Sequence, residues 1–237
     1  MEFDYDDIEG YLDRKCPQCE RKLENCLCKH IEKLDTKIKF VFLMHPKESK
    51  RQSTGTGKLA NLSLKDSEIF IGKEFSNHHE LQELLNDSNY FPVLMYPGKN
   101  VWTANKEGFD KIIGNKRLLV IIVDATWRFS KTLINHNRFL LDLPRVSFTG
   151  NYQSIYTFKR EPRPECISTI ESCYFFIKEM QSVGLENEKL NPEPLMNVFK
   201  AMIKFQLQAE NERILGIRPT AHTNHTHPEV LRVIPDF

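Results

Sequence analysis

The chain has 237 residues, 40% of them hydrophobic and 27% charged, which supplies one sizeable core and at most a small appendage. Its 33 Lys and Arg against 32 Asp and Glu leave a formal charge of +1, so no strong monopole draws in a polyanion and any nucleic-acid contact must come from a local patch. No apolar run approaches the roughly 20 residues of a membrane helix, and the acidic start is unlike a signal peptide; the expectation is a cytoplasmic protein with no membrane partner.

Residues 1–13 carry six carboxylates and few apolar groups, and read as loosely ordered. The run Cys16-Pro-Gln-Cys19-Glu-Arg-Lys-Leu-Glu-Asn-Cys26-Leu-Cys28 follows, a C-x2-C-x6-C-x-C arrangement. Its first pair can close a tight turn about one ion, and the second can complete a tetrahedral thiolate site. A zinc ion held by Cys16, Cys19, Cys26 and Cys28 would have no open position, so its role would be structural. Four unliganded thiols or a redox pair is the alternative. Lys15, Arg21 and Lys22 surround the cluster and are candidates for RNA contact. Cys166 and Cys173 stand apart and read as buried thiols of a reducing compartment.

Residues 1–36 therefore form an acidic N-terminus and zinc knuckle, and a main domain occupies 37–217. Strands are predicted over 38–44, 68–71, 91–96 and 118–123. The last, Leu-Leu-Val-Ile-Ile-Val, is apolar throughout and should be central, covered on both faces, in a mainly parallel sheet. Residues 79–86 and 127–136 read as short helices. Ser168-Thr-Ile-Glu171 has the form of a capping box, and Cys173, Phe176, Ile177 and Met180 continue it as a buried helix face. Pro192 and Pro194 suit the start of another, with Leu195, Val198, Phe199 and Met202 as its stripe. The tail 218–237 contains His222, His225 and His227; it reads as an extended surface segment, with weak metal binding as the alternative.

In a parallel sheet the carboxyl ends of the strands line the crevice where ligands bind. The element Val123-Asp124-Ala-Thr126-Trp127 stands where the central strand ends. Asp124 would point into that crevice, Thr126 can cap the helix opened by Trp127, and the indole can pack or stack on a planar ligand. Lys47, Lys50, Arg51 and Lys58 follow the first strand and can contact phosphates or form a solvated face.

These residues, taken in order, resemble the DTW-domain family of transfer RNA uridine aminocarboxypropyltransferases. The cysteine cluster comes first, then His45-Pro46-Lys-Glu48-Ser-Lys-Arg51, Thr54-Gly-Thr56 with Leu59-Ala60, Asp124-Ala-Thr-Trp127, Leu143-Pro144, and Tyr156 with Arg160 and Ile167-Ser168-Thr169-Ile-Glu171. Ala125 stands where many relatives have Gly. The resemblance implies a SPOUT-like knotted α/β fold, an exception to the rule against knots. It also implies transfer of the 3-amino-3-carboxypropyl group of S-adenosylmethionine to N3 of a tRNA uridine.

On that resemblance Asp124 and Trp127 are the catalytic candidates. Thr54, Thr56, Asp124, Thr126, Ser168, Thr169 and Glu171 are candidates for binding S-adenosylmethionine, although a capping-box role alone would account for Glu171. Lys15, Arg21, Lys22, Lys47, Arg51 and Arg160 are the RNA candidates, with Arg51 and Arg160 also suited to the methionine carboxylate. Phe148, Tyr152 and Tyr156 offer a stacking surface or core packing. The partners are tRNA and S-adenosylmethionine, and a monomer is expected. Two alternatives stand: an RNA methyltransferase of the same knotted class, and a zinc-supported RNA-binding module without chemistry. A nucleotide hydrolase is disfavoured, since no Gly-rich loop with a Lys-Ser/Thr pair is present.

Overall fold

Apolar runs separated by short helical patterns are laid side by side as a 5-stranded sheet, with the order β2-β1-β4-β3-β5. Its strands are β1 (Lys39–Met44), β2 (Ser67–Ile71), β3 (Tyr90–Met95), β4 (Arg117–Asp124) and β5 (Arg145–Val146). Each pairing is parallel, as expected. β5 was not anticipated, because a strand of 2 residues carries no periodicity to read. The computed structural model describes residues 15–50, 54–156, 166–218 and 230–237, without the side chain of Trp127. The expectations for residues 1–13, Arg51, Arg160, His222, His225 and His227 thus lie outside the described residues.

The helices are α1 (Pro46–Lys50), α2 (Gly57–Ser63), α3 (His79–Asn86), α4 (Phe109–Ile113), α5 (Trp127–His136), α6 (Thr169–Ser182) and α7 (Glu193–Ile214). Successive strand residues point to opposite faces, and here both faces are apolar. Phe40, Phe42, Val93, Val120 and Ile122 pack against α2, α4, α6 and α7. Val41, Leu43, Leu94, Leu119 and Ile121 pack against Leu81 of α3 and Leu133 and Ile134 of α5. β4 is apolar at successive positions because a helical layer covers each side of it. Full burial of one such side chain contributes about 1.5–3 kcal/mol, so the two layers hold the strand ends in fixed positions.

Cys173, Phe176, Ile177 and Met180 of α6 are fully buried, as are Leu195, Val198, Phe199 and Met202 of α7. The N-terminal knuckle is joined to this body: Leu27 and Leu34 enter the core, and Leu34 pairs with Leu64 in a parallel bridge. Residues 230–237 are largely exposed and lie along α7, where Arg232 N donates to Asn211 Oδ1 at 2.7 Å and Lys200 and Lys204 approach the Phe237 ring. Among the described residues no helix is long and apolar enough to cross a membrane.

Candidate functional site

The cysteine segment folds back on itself at once. Glu20 N donates to Cys16 O at 2.8 Å, Cys16 N donates to Arg21 O at 2.7 Å, and Glu20 takes the left-handed conformation at φ 56°. Lys15 and Lys22 pair across this turn, and 3-10 turns at Leu23–Asn25 and Cys28–His30 return the second cysteine pair to the first. The sulfurs of Cys16, Cys19, Cys26 and Cys28 all lie within 4.8 Å of one another, with Cys16 and Cys28 at 3.5 Å and Cys19 and Cys26 at 3.8 Å. A tetrahedron with Zn–S bonds of about 2.3 Å has sulfurs about 3.8 Å apart, so the cluster fits such an ion.

The electrostatics point the same way. Backbone N–H groups of Cys19 and Gln18 lower the Cys16 thiol to about 6, whereas burial, followed by the neighbouring thiols, raises Cys28; burial also raises Cys26. One ionised thiol suppresses the others, and a divalent cation removes that conflict. Lys15 and Lys22 are exposed beside the cluster. Arg21 is not: only 7% of it is exposed, so its placement does not suit the anticipated phosphate contact. Burial lowers its pKa, and the negative potential of Cys19, Tyr156, Cys26 and Cys28 opposes that shift.

Three segments converge at the carboxyl end of β4. Asp124, 8% exposed, receives a 2.7 Å hydrogen bond at Oδ1 from the Thr169 hydroxyl at the start of α6. Its Oδ2 lies against Gly57, the first residue of α2, where any Cβ would collide with the carboxylate. Glycine is therefore required at 57 for space. The neighbouring strand contributes His45, whose N–H donates to Asp124 O at 3.2 Å. The imidazole stacks on Phe129 with centroids 4.5 Å apart, and its Nδ1 accepts from Lys47 N at 3.2 Å. Burial, helped by Lys73 and Lys47 and opposed by Glu48, lowers the His45 pKa and keeps the ring neutral at pH 7.

Several candidates are placed otherwise than expected. The Thr126 side chain makes no capping bond to α5; instead its N–H donates to Glu48 Oε1 at 3.4 Å, so α1 steadies the turn after β4. Ala125 needs no glycine there, since the positive-φ non-glycine residues among those described are Glu20 and Asn100. Thr56 is buried at the start of α2, and Tyr156 OH donates to Thr54 O at 2.6 Å. Glu171 completes the expected capping box but does more. Its Oε2 accepts from Ser168 N, Ser168 Oγ and Ser154 Oγ at 2.6–2.7 Å, and its Oε1 from Ile155 N at 2.8 Å, so it is a fastener for the loop after β5. Glu179, not anticipated, does the same two turns on for Thr149 N, Gly150 N and Tyr152 OH.

The aromatic candidates are packed inward. Tyr152 stacks on Phe175 at 3.9 Å, Phe148 meets Tyr152 edge-on, and Tyr156 stacks on Phe199 at 5.3 Å. Lys47 is exposed with Nζ 4.9 Å from the Phe129 ring centre, and Lys58 pairs with Glu20. A cavity of about 420 Å³ runs along the edge strand β2 from Ser67 to Ile71, with Glu20, Met44, Lys58 and Asn61 on its walls, and Asp124 is not part of its lining. The strand-end position and hydroxyl-rich surroundings of Asp124, rather than cavity size, mark the candidate site.

The DTW domain model matches residues 13–207. Over 167 residues the chain is 29% identical to tRNA-uridine aminocarboxypropyltransferase 2 of Drosophila melanogaster, a match that covers 67% of this chain and 63% of that protein. The chain thus spans less than two thirds of that relative's length. No solved structure matches. Cysteine knuckle, buried strand-end aspartate and helix-start residues all fall within the matched span, and the chain belongs to the DTW-domain family.

Proposed function

We propose that this protein transfers the 3-amino-3-carboxypropyl group of S-adenosylmethionine to N3 of a tRNA uridine, releasing 5′-methylthioadenosine. The observation that carries this reading is the Asp124 carboxylate, oriented by Thr169 where β4 ends between β1 and β3. Ligands bind at such strand ends in open parallel sheets. The name of the Drosophila relative supports the reaction class. The parallel α/β sheet is the architecture on which the SPOUT-like knotted topology is proposed, an exception to the rule against knots.

When bound, S-adenosylmethionine supplies a sulfonium-activated γ-carbon. The crevice residues suit that ligand by chemistry: the hydroxyls of Thr54, Thr56 and Thr126 match a carboxylate and Asp124 matches a cation, while Ser168 and Thr169 border the site with their hydroxyls on Glu171 and Asp124. Asp124, turned by the Thr169 hydroxyl, accepts or relays the N3 proton of uridine as the new bond forms. Glu171 acts at one remove, by holding the loop through Ser154 and Ile155 in place. Trp127 shares the catalytic assignment through its position three residues after Asp124, at the start of α5. Lys15, Lys22, Lys47, Arg51 and Arg160 take the phosphates, and the four cysteines hold a structural zinc ion.

The test is product identity. Purified protein with unmodified tRNA and S-adenosylmethionine should yield methylthioadenosine and a uridine heavier by an aminocarboxypropyl group on mass spectrometry. S-adenosylhomocysteine with a methylated nucleoside would replace this reading by the methyltransferase one, because the γ-carbon and methyl carbon are chosen by pose alone.

A further inference from the structure

We propose that the cysteine knuckle is a positioning device for Asp124: a metal ion on its thiolates fixes α2, and α2 forms the wall against which the carboxylate rests. The knuckle grips α2 at both ends. At the far end Leu34 N donates to Ser63 O at 2.8 Å and Lys65 N donates to Leu34 O at 2.9 Å, so the chain leaving the knuckle is paired to the chain leaving the helix. At the near end Glu20, in the turn between the cysteines, pairs with Lys58, the second residue of α2. Leu27, between Cys26 and Cys28, is buried in the same core as Leu59 and Ala60.

A second line runs through side chains. Arg21 is buried within the electrostatic reach of both the thiol cluster and Tyr156, and Tyr156 OH holds Thr54 O, just before α2. Displacement of the knuckle therefore reaches the Thr54–Gly57 segment from two directions. Gly57 leaves no slack at the last link, since the Asp124 carboxylate already fills the space of its missing side chain. A helix of 7 residues draws its stability from tertiary packing, and these links add to the burial of Leu59 and Ala60 in the core.

In this arrangement the metal cluster is part of the active-site wall rather than a separate RNA-binding appendage. The cofactor arm of the test rests on the function proposed above; the exchange arm does not. Amide hydrogen exchange would be followed in zinc-loaded protein, in chelator-treated protein and in Tyr156→Phe, alongside calorimetric titration with S-adenosylmethionine. Chelation should speed exchange about tenfold or more over 57–65, with β1 and β4 unchanged. It should also weaken S-adenosylmethionine binding about tenfold. Tyr156→Phe should retain its zinc, confine faster exchange to 54–58, and weaken binding by a smaller factor. Unchanged exchange over α2 after metal removal would overturn the proposal, as would a uniform rise across the whole sheet or failure of the knuckle to hold zinc. If the zinc-loaded parent does not bind S-adenosylmethionine, the functional reading fails while the exchange pattern still decides the coupling.

Discussion

At the amino ends of the strands, Lys39 Nζ lies 2.7 Å from both Asp66 and Glu68, and Arg117 bridges Asp66 to the carbonyls of Thr36 and Lys37. Glu186 accepts the N–H groups of Lys37 and Ile38 that open β1. At the carboxyl ends Asp124 instead faces a threonine hydroxyl and a glycine backbone, and the adjacent His45 is kept neutral by burial. Charge met by opposite charge is locked in one protonation state. The same sheet thus has an amino end closed by ion pairs and a carboxyl end where a hydroxyl orients a carboxylate, the end to which the proposed function assigns the chemistry.

The sharpest way to break this comparison is to mutate one carboxylate at each end. Asp124→Asn keeps the shape and the hydrogen-bond acceptor for Thr169, and should lower turnover by at least about 100-fold, the scale of a lost general base. Glu68→Gln at the opposite end should leave turnover within about twofold, because a partly exposed ion pair contributes little. Single-turnover assays on variants of native circular dichroism decide it. Near-normal turnover of Asp124→Asn would remove the carboxylate from the chemistry and erase the distinction between the ends. At the carboxyl end, Glu171→Ala should cost about 2–3 kcal/mol in urea denaturation, because the buried donor of Ser168 and the half-buried donor of Ile155 lose their acceptor. A cost below about 0.5 kcal/mol would mean that the loop is held by other contacts.

How far this division was legible in the sequence depends on the range of the interaction. The unbroken apolar run of β4, the cysteine spacing and the Ser168–Glu171 capping box are local patterns, and each has its structural counterpart. Thr169 meets Asp124 across 45 positions and Tyr156 meets Thr54 across 102, and no local pattern encodes such pairs. Gly57 was passed over because a glycine required by a distant side chain looks like any other helix-start glycine. Arg21 misled for a related reason: its neighbours Lys15 and Lys22 are exposed, and only the packing of Tyr156 and the thiols shows that the guanidinium turns inward.

The closed end should show itself in acid. Burial pulls the Asp66 carboxyl upward, but Lys39, hydrogen-bonded to it, and Arg117 outweigh burial and hold its pKa below 3.8. A depressed folded pKa gives stability that is present above 3.8 and lost as pH falls through the lower folded value. Asp66→Asn should therefore reduce stability at pH 7 by about 1 kcal/mol, after screening of a group about one-third exposed, and flatten the stability profile below about pH 4. Parallel profiles for parent and variant would show that Asp66 contributes no linkage.

The smallest effect expected concerns the surface of the knuckle, where sequence and structure part. Lys15 and Lys22 are paired through their backbones across the cysteine turn, and both residues are exposed on the knuckle surface. Neutralising them together, as Lys15→Gln with Lys22→Gln, should weaken tRNA binding only about three- to tenfold near 0.1 M salt and lower the salt slope by about one to two. The loss should be similar for unrelated RNA sequences, since phosphate contacts position rather than specify. Zinc content and thermal stability should not change. Arg21→Gln should behave in the opposite manner, with reduced stability and little change in salt slope, because the residue is only 7% exposed and packs beside the cysteine cluster. Equal salt slopes for the double lysine variant and the parent would remove the knuckle surface from the RNA footprint. A slope change for Arg21→Gln with unaltered stability would instead restore Arg21 to that footprint, and would mean that the side chain leaves its buried position when RNA binds.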